Sequence, residues 1–270
     1  MNGTVVPLLR DLVDDAGLFP PAGLPMGEAV ARYRRELRAA HPMLTHRFLC
    51  PASRFEELRA ALAEHAYIRV GILLDDAVPE DDERIMVDLA EKALPAGDQA
   101  ALAEQALADF NGFGVPLFLE PVRSPGWLDA IRVVSRNKGP MRGVKVRCGG
   151  LSADLFPSPT ELAEFIMACA AENVPFKATA GLHHALPYTD PATGFAHFGY
   201  LGLVAAVTRA FDGAGVAQVA GALTETDPGR LTDGLSDRSR ELLVSYGSCS
   251  TEDPVGDAVA LGLATWPQQP

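Results

Sequence analysis

Short runs of apolar residues recur along this chain and are separated by amphipathic segments. Three of these runs are LTHRFLCP, IRVGILLDD and VPLFLEP, and each ends at a proline or at acidic residues. Two more, RGVKVRCGG and VPFKATAG, end at glycines. Runs of this length, rich in β-branched and aromatic residues and closed by turn residues, predict short buried strands.

Amphipathic segments between these runs predict helices. FEELRAALAEH carries a leucine and alanine stripe at helical spacing, and SPTELAEFIMACAAEN does so between the last two strands. In the latter segment Ser158 or Thr160 precedes Glu161, which is a capping pattern. Strands that alternate with helices in this way indicate parallel βα units.

Some segments have a weaker periodicity. We interpret IMVDLAEKAL as a strand over residues 86–91 that ends near Glu91, and AQVAGALTE as a strand that ends at Glu225. VPLLRDLVDD is expected to form a short helix, in which Asp14 and Asp15 serve as a cap or in salt bridges. The tail from Leu231 is expected to form two short helices on either side of a SerCysSer turn.

The sum of these elements favours an eight-fold β/α barrel. We expect residues 1–270 to form a single TIM-barrel-like α/β domain, with residues 1–40 as a helical and proline-rich N-terminal segment that packs on the barrel. An open doubly wound sheet is the second choice. No GxGxxG or GxxxxGK[ST] loop follows a strand, which counts against a nucleotide-binding sheet, and no cofactor is expected.

Composition excludes several classes of partner. The formal net charge is -12, and nucleic acid or an anionic membrane would require a basic surface. The N-terminus lacks an export signal and no apolar run approaches the roughly 20 residues of a membrane span, so we expect a cytoplasmic protein. The sequence does not determine the oligomeric state, and a homo-oligomer is one of the alternatives.

The cysteines show no CxxC spacing and are expected to be reduced thiols. They are Cys50, Cys148, Cys169 and Cys249.

Basic side chains in two of the strands are the most distinctive chemical feature. In VKVRCGG, Lys145 and Arg147 fall on one side of the pleat, and in FKATAGLHH Lys177 shares a side with Thr179. If these strands are parallel neighbours, as a βαβ unit requires, the three cations converge on one surface. The sequence therefore predicts a concentrated positive site in an acidic chain.

The barrel interpretation places further side chains near this site. In such barrels the chemistry lies at the carboxyl ends of the strands and in the loops after them. Buried cations must be neutralised there by carboxylates or by an anionic ligand, because unpaired buried charge is costly. The acidic candidates at strand ends are Asp75, Asp76, Glu91, Glu120 and Glu225.

We assign candidate catalytic roles to Lys145, Lys177, Glu120 and His183. Lys145 is the candidate nucleophile, because a neighbouring cation and desolvation lower the pKa of a lysine towards working pH. Glu120 is a general base or else the ion-pair partner of Lys145, and His183 is an acid–base group or a hydrogen-bonded loop residue. The lysines could equally be structural ion pairs, or could clamp a carboxylate or phosphate together with Arg147.

The loops after these two strands supply candidate substrate contacts. Besides Arg147, these are Gly149, Gly150 and Gly181, whose backbone amides could bind phosphate although a tight turn explains them as well, and His184. His183 and His184 also admit a metal site with Glu120, Asp75 or Glu91, but adjacent histidines on an extended segment point apart, so no metal is assigned.

Two cysteines lie next to these candidate residues. Cys148 faces away from Lys145 and is interpreted as a buried, inert thiol. Cys249 is not assigned as a nucleophile, because the sequence places no histidine beside it.

The two lysine strands resemble those of the class I deoxyribose-phosphate aldolase family. The resemblance covers about a sixth of the chain and implies a Schiff base at Lys145, whose pKa Lys177 would lower. This chain departs from that family in having Arg147 where a small hydroxyl residue is expected, and in the pair His183 and His184. The FKATAGLHH and GSCS motifs also resemble those of an uncharacterised bacterial β/α-barrel family, which brings no known activity.

The sequence thus leads to three alternative functions. The first is an enzyme that acts on a small phosphorylated or carboxylated metabolite, in its sharpest form a Schiff-base aldolase or lyase. The second is a metal-dependent hydrolase or isomerase that uses His183 and Glu120. The third is a non-catalytic barrel that serves as a binding or scaffold subunit.

Overall fold

Eight parallel strands close into a barrel. The computed structural model describes residues 3–75, 82–137 and 141–267. The strands lie around the barrel in the order β1, β2, β3, β4, β5, β6, β7, β10, and β10 pairs with β1 to close it. Their bounds are β1 Val13–Asp15, β2 Leu44–Pro51, β3 Ile68–Leu73, β4 Ile85–Ala93, β5 Leu117–Glu120, β6 Arg142–Arg147, β7 Phe176–Thr179 and β10 Leu243–Ser248. The predicted β/α-barrel fold is confirmed.

Helices surround this barrel, and a short antiparallel hairpin lies outside it. The hairpin consists of β8 Tyr188–Thr189 and β9 Ala196–His197. The helices are α1 Met26–Ala39, α2 Phe55–Ala61, α3 Gln99–Asp109, α4 Asp129–Arg136, α5 Pro159–Glu172, α6 Tyr200–Phe211, α7 Val216–Thr224, α8 Pro228–Thr232, α9 Ser239–Leu242 and α10 Glu252–Ala260. Within the described residues, no helix is long and apolar enough to cross a membrane.

Local chemistry fixes the βαβ unit that carries the two lysines. The predicted capping pattern of α5 is a complete capping box, in which the Ser158 side chain accepts from the Glu161 backbone N–H and the Glu161 carboxylate accepts from the Ser158 backbone N–H. The helix ends at Asn173, which adopts the left-handed conformation. β6 and β7 are therefore joined by one well-defined crossover and lie side by side.

Three of the weaker assignments are wrong. The VDD residues predicted to end a helix form β1, a buried strand of three residues. AQVAGALT forms α7 instead of a strand, because Val219, Ala222 and Leu223 are buried at helical spacing against α5 and α6. In the tail, LVSYGS is a barrel strand, β10, rather than part of a helix–turn–helix. By contrast, β4 confirms the strand predicted over residues 86–91.

Polar residues disguised β1 and β10 in the sequence. Asp14 and Ser245 point into the barrel, where they hydrogen-bond each other, whereas Tyr246 points outwards and stacks on Tyr200 of α6. The apolar core thus lies mainly between the strands and the helices, and the space inside the barrel is largely polar.

Candidate active site in the barrel

Lys145 and Lys177 both point into the barrel. Their Cα atoms are direct partners in the register of β6 and β7, and every second side chain of a strand lies on the same face. The two residues are 4% and 1% exposed, respectively. The predicted convergence of the two lysines is therefore present, in a site that excludes bulk water.

Carboxylates from β4 and β5 neutralise these lysines. Glu91 of β4 lies between them, with Oε2 2.6 Å from the Lys145 Nζ and Oε1 3.2 Å from the Lys177 Nζ. Glu120 of β5 joins Lys145 to Arg147, with Oε2 2.9 Å from the Lys145 Nζ and Oε1 2.8 Å from the Arg147 Nε. Both carboxylates were expected near the lysines, and both are engaged in ion pairs there.

Asp14 of β1 is a member of this site that the sequence did not reveal. One of its carboxylate oxygens accepts hydrogen bonds from Lys177 and from the Ser245 hydroxyl, the latter at 2.7 Å. The other accepts from the Thr45 hydroxyl at 2.7 Å and from the Arg47 guanidinium at 2.8 Å. The side chain is wholly buried.

These ion pairs continue in one chain of alternating charges along the barrel interior. Arg47 and Arg69 both contact Asp88 of β4 at the end where the strands begin. The side chains at the two ends of the series, Arg69 and Arg147, are 38% and 42% exposed. In order, the charge chain consists of Arg69, Asp88, Arg47, Asp14, Lys177, Glu91, Lys145, Glu120 and Arg147, which is five cations and four carboxylates.

The ionisation of the site follows from this pairing. Burial alone would raise the pKa values of Asp14, Glu91 and Glu120, but the adjacent lysines and arginines hold all three below their ordinary values. Burial alone would lower the pKa of Lys145, yet Glu120 and Glu91 raise it well above that of a free lysine. This direction agrees with the alternative in which Lys145 forms a structural ion pair, and it is opposite to the lowered pKa that the nucleophile assignment requires.

Arg147 has donors left over at the open end of the barrel. Its Nε donates to Glu120, while its two terminal nitrogens donate no hydrogen bond to residues 3–75, 82–137 and 141–267. Its register partner is Thr179 of β7, and Thr179 in turn pairs with Gly247 of β10. The row of residues above the lysines thus consists of a guanidinium, a hydroxyl and a glycine, and a Cβ on Gly247 would lie 3.0 Å from the Leu49 side chain.

The predicted glycines hold the loops after β6 and β7 together. Gly181 has a φ of +73°, and a Cβ on it would lie 2.8 Å from the Cys148 carbonyl oxygen. A Cβ on Gly149 would lie 3.0 Å from the Cα of Gly181, and one on Gly150 would lie 2.3 Å from Leu155. Close packing accounts for all three glycines, and their contact with a phosphate stays a prediction.

His183 and His184 separate, as expected for neighbours on an extended segment. His184 Nδ1 lies 3.1 Å from an oxygen of Asp257, and its ring meets that of Tyr188 edge to face. His183 turns to the loop after β10, where Nδ1 lies 3.7 Å from the Cys249 Sγ. The described part of the chain contains no group of three or more histidine, cysteine or acidic side chains arranged to hold a metal ion.

The remaining predicted strand-end acids are Asp75, Asp76 and Glu225. Asp75 accepts a hydrogen bond from the Ser53 backbone N–H at 3.0 Å, whereas Asp76 lies outside the described residues. Glu225 follows α7 and accepts from the backbone N–H groups of Thr226 and Asp227, so its assignment to a strand end is wrong.

Asp15 and Cys148 face away from the barrel interior. Asp15 pairs with Arg32 of α1, in agreement with a salt-bridge role. Burial raises the pKa of the Cys148 thiol to about 12, which agrees with an inert cysteine.

Comparisons with family models, curated proteins and solved structures find no match to this chain.

Proposed function

We propose that this barrel is an enzyme that acts on a small carboxylated or phosphorylated metabolite, with the anionic group bound by Arg147. The observation that carries the proposal is the free fork of Arg147 at the carboxyl end of the barrel, where enzymes of this fold carry out their chemistry. A guanidinium with two free terminal nitrogens suits the paired oxygens of a carboxylate or phosphate.

The rest of the charge chain supports an anion at this position. The chain has one more cation than carboxylate, and its two terminal cations, Arg69 and Arg147, each contact a single carboxylate. Arg69 uses its terminal nitrogens on Asp88 and on the Thr45 carbonyl oxygen, whereas those of Arg147 donate to no described residue. An anion at Arg147 would complete the alternation. Glu120, the predicted general base, has both oxygens in ion pairs, and in this proposal it orients the guanidinium.

Titration calorimetry at low ionic strength tests the anion site. Wild-type protein is titrated with inorganic phosphate and with malonate, in parallel with Arg147→Ala and with Arg132→Ala. Arg132 is an exposed arginine of α4 that is likewise paired with carboxylates. We expect saturable binding that Arg147→Ala weakens by about tenfold or more, equivalent to about 1.4 kcal/mol, and that Arg132→Ala leaves unchanged.

Two results would overturn this proposal. One is the absence of binding by the wild-type protein to either anion, which would favour a barrel without an anionic substrate. The other is equal binding by the wild type and Arg147→Ala, which would place the anion elsewhere.

A Schiff base at Lys145 is the second candidate, favoured by the register of Lys145 with Lys177 inside a barrel. Against it stands the raised pKa of Lys145, because the ammonium form cannot attack a carbonyl. Borohydride reduction in the presence of pyruvate or acetaldehyde, followed by intact mass, decides between the two. An adduct that disappears in Lys145→Ala supports this candidate, and the absence of an adduct removes it.

A further inference from the structure

We propose that Cys249 is the nucleophile of this barrel, that His183 is its general base, and that the pair acts on an electrophilic carbonyl carbon. This inference rests on the proposed function, since it supplies a reacting group at the same end of the barrel. It goes beyond the charge chain, in which neither residue takes part.

The two side chains come from the loops after neighbouring strands. Cys249 directly follows β10, His183 follows β7, and β7 and β10 are paired in the barrel. The Sγ of Cys249 lies 3.7 Å from the Nδ1 of His183, which is within hydrogen-bond range for sulfur. A thiol beside an imidazole at the carboxyl ends of barrel strands is the arrangement that nucleophilic catalysis requires.

The surroundings leave the His183 Nδ1 available for this thiol. The Ser248 hydroxyl lies 3.5 Å from the same nitrogen, but it donates its proton to the Ser250 carbonyl oxygen. The backbone at Cys249 is held in place by Arg32, whose guanidinium donates to the Cys249 carbonyl oxygen at 2.7 Å. With the proton of His183 on Nε2, Nδ1 accepts the thiol proton.

The other three cysteines provide a comparison within the same molecule. Cys50, Cys148 and Cys169 are completely buried, whereas Cys249 is 7% exposed. Among the described residues, Cys249 alone of the four has a histidine nitrogen within hydrogen-bond range.

Burial sets the resting state of the pair as a neutral thiol and a neutral imidazole. Burial raises the pKa of Cys249; Asp253 raises it further, whereas Arg32 lowers it. Burial also lowers the pKa of His183. The other titratable or charged groups that act on the two side chains are His184, His197, Asp190 and Tyr188. The thiol therefore needs its base during attack, instead of being a stable thiolate beforehand.

The covalent step is an addition. The Cys249 sulfur forms a bond to the carbonyl carbon, the π electron pair moves onto the carbonyl oxygen, and the thiol proton passes to His183 Nδ1. His183 then gives that proton to the oxygen, which leaves a hemithioacetal and the neutral imidazole. No oxidant or reductant is required.

Alkylation by iodoacetamide, located by peptide mass, tests this inference without any substrate. The rate at each cysteine is measured from pH 5 to pH 9 in the wild type, in His183→Gln and in His197→Gln. His197 is the matched control, because it belongs to the same histidine cluster and contacts Gly181 and Tyr188.

We expect selective alkylation of Cys249 in the wild type, with a rate that falls as His183 becomes protonated, at a pH below the ordinary imidazole value of 6.5 because burial lowers the pKa of His183. His183→Gln should slow the alkylation of Cys249 by about 100-fold at pH 7.5 and should remove the decrease in rate at low pH. His197→Gln should change the rate by less than about threefold. As a control, alkylation of the three proteins unfolded in guanidinium should proceed at the same rate at Cys249. Equal rates for the wild type and His183→Gln, or no preference for Cys249, would overturn the inference; anion binding at Arg147 is measured separately and is unaffected by either result.

Discussion

Lys145 and Lys177 face each other in register on adjacent strands and share one carboxylate, that of Glu91. Two ammonium groups so close together in a site without bulk water would repel strongly. Glu91 turns this repulsion into attraction, since its two oxygens each face one lysine. Removal of this one carboxylate would therefore leave both buried lysines with a partner fewer.

Glu91→Gln is expected to destabilise the fold by about 3–5 kcal/mol, because it leaves two buried cations with one carboxylate fewer. Urea unfolding at pH 7 measures the change. The control is Asp129→Asn, which breaks an exposed pair with Arg132 on α4 and should cost less than about 1 kcal/mol. Similar losses of unfolding free energy for both variants would mean that the Glu91 carboxylate stabilises the fold no more than an exposed ion pair does.

Acid is expected to unfold the protein through the same carboxylates. The pKa values of Asp14, Glu91 and Glu120 are lowered in the folded state, so the unfolded chain binds more protons. Their contribution is complete above the ordinary values of 3.8 and 4.5 and is lost as the pH falls below them. Urea midpoints measured from pH 7 to pH 3 should drop steeply below about pH 4.5. A midpoint that is constant down to pH 3 would be inconsistent with paired carboxylates in the barrel.

The contribution of Glu36 of α1 to stability should have the opposite dependence on pH. Burial, with Asp15 nearby, raises its pKa to about 7, and its side chain is only 15% exposed. Since the folded state holds this proton more tightly, the contribution is complete below the ordinary value of 4.5 and is lost as the pH rises to about 7.

Glu36→Gln is therefore expected to stabilise the protein at pH 8, by about 2 kcal/mol, and to have little effect at pH 4. Thermal unfolding of the variant and the wild type at both pH values measures this difference. A variant that is less stable at pH 8 would show that the charged form, paired with Arg32, is the favoured one.

Gly181→Ala is expected to cost about 2 kcal/mol or more, because the new Cβ combines a positive φ with a close approach to the Cys148 carbonyl oxygen. The comparison is Gly27→Ala in α1, where a Cβ meets no atom within 4 Å and should stabilise the helix by about 0.5–1 kcal/mol. Chemical denaturation of both variants tests the pair. An unchanged stability for Gly181→Ala would indicate that the loops after β6 and β7 can move apart.

Local sequence patterns were sufficient to predict part of this site. Alternation within a strand placed Lys145 and Arg147 on one face, and the βαβ unit made Lys177 their neighbour. The need to neutralise buried cations pointed to Glu91 and Glu120. Each of these residues lies on a strand that the sequence predicted.

The contacts that the sequence did not predict arise from closure of the barrel. Asp14 and Lys177 are 163 positions apart, and they meet only because β1 and β7 both pair with β10. Cys249 and His183 are 66 positions apart and meet through the same strand. β10 itself was hidden because Ser245 and Gly247 interrupt its apolar pattern, and a polar interior removes the alternation by which strands are recognised.

The most direct test of the anion site is a crystal structure of the wild-type protein grown with malonate. We expect a carboxylate of malonate within hydrogen-bond distance of the terminal nitrogens of Arg147, at the open end of the barrel, with Glu91 still between Lys145 and Lys177. An electron density map that shows only water at those nitrogens, with malonate absent or bound elsewhere, would contradict the assignment.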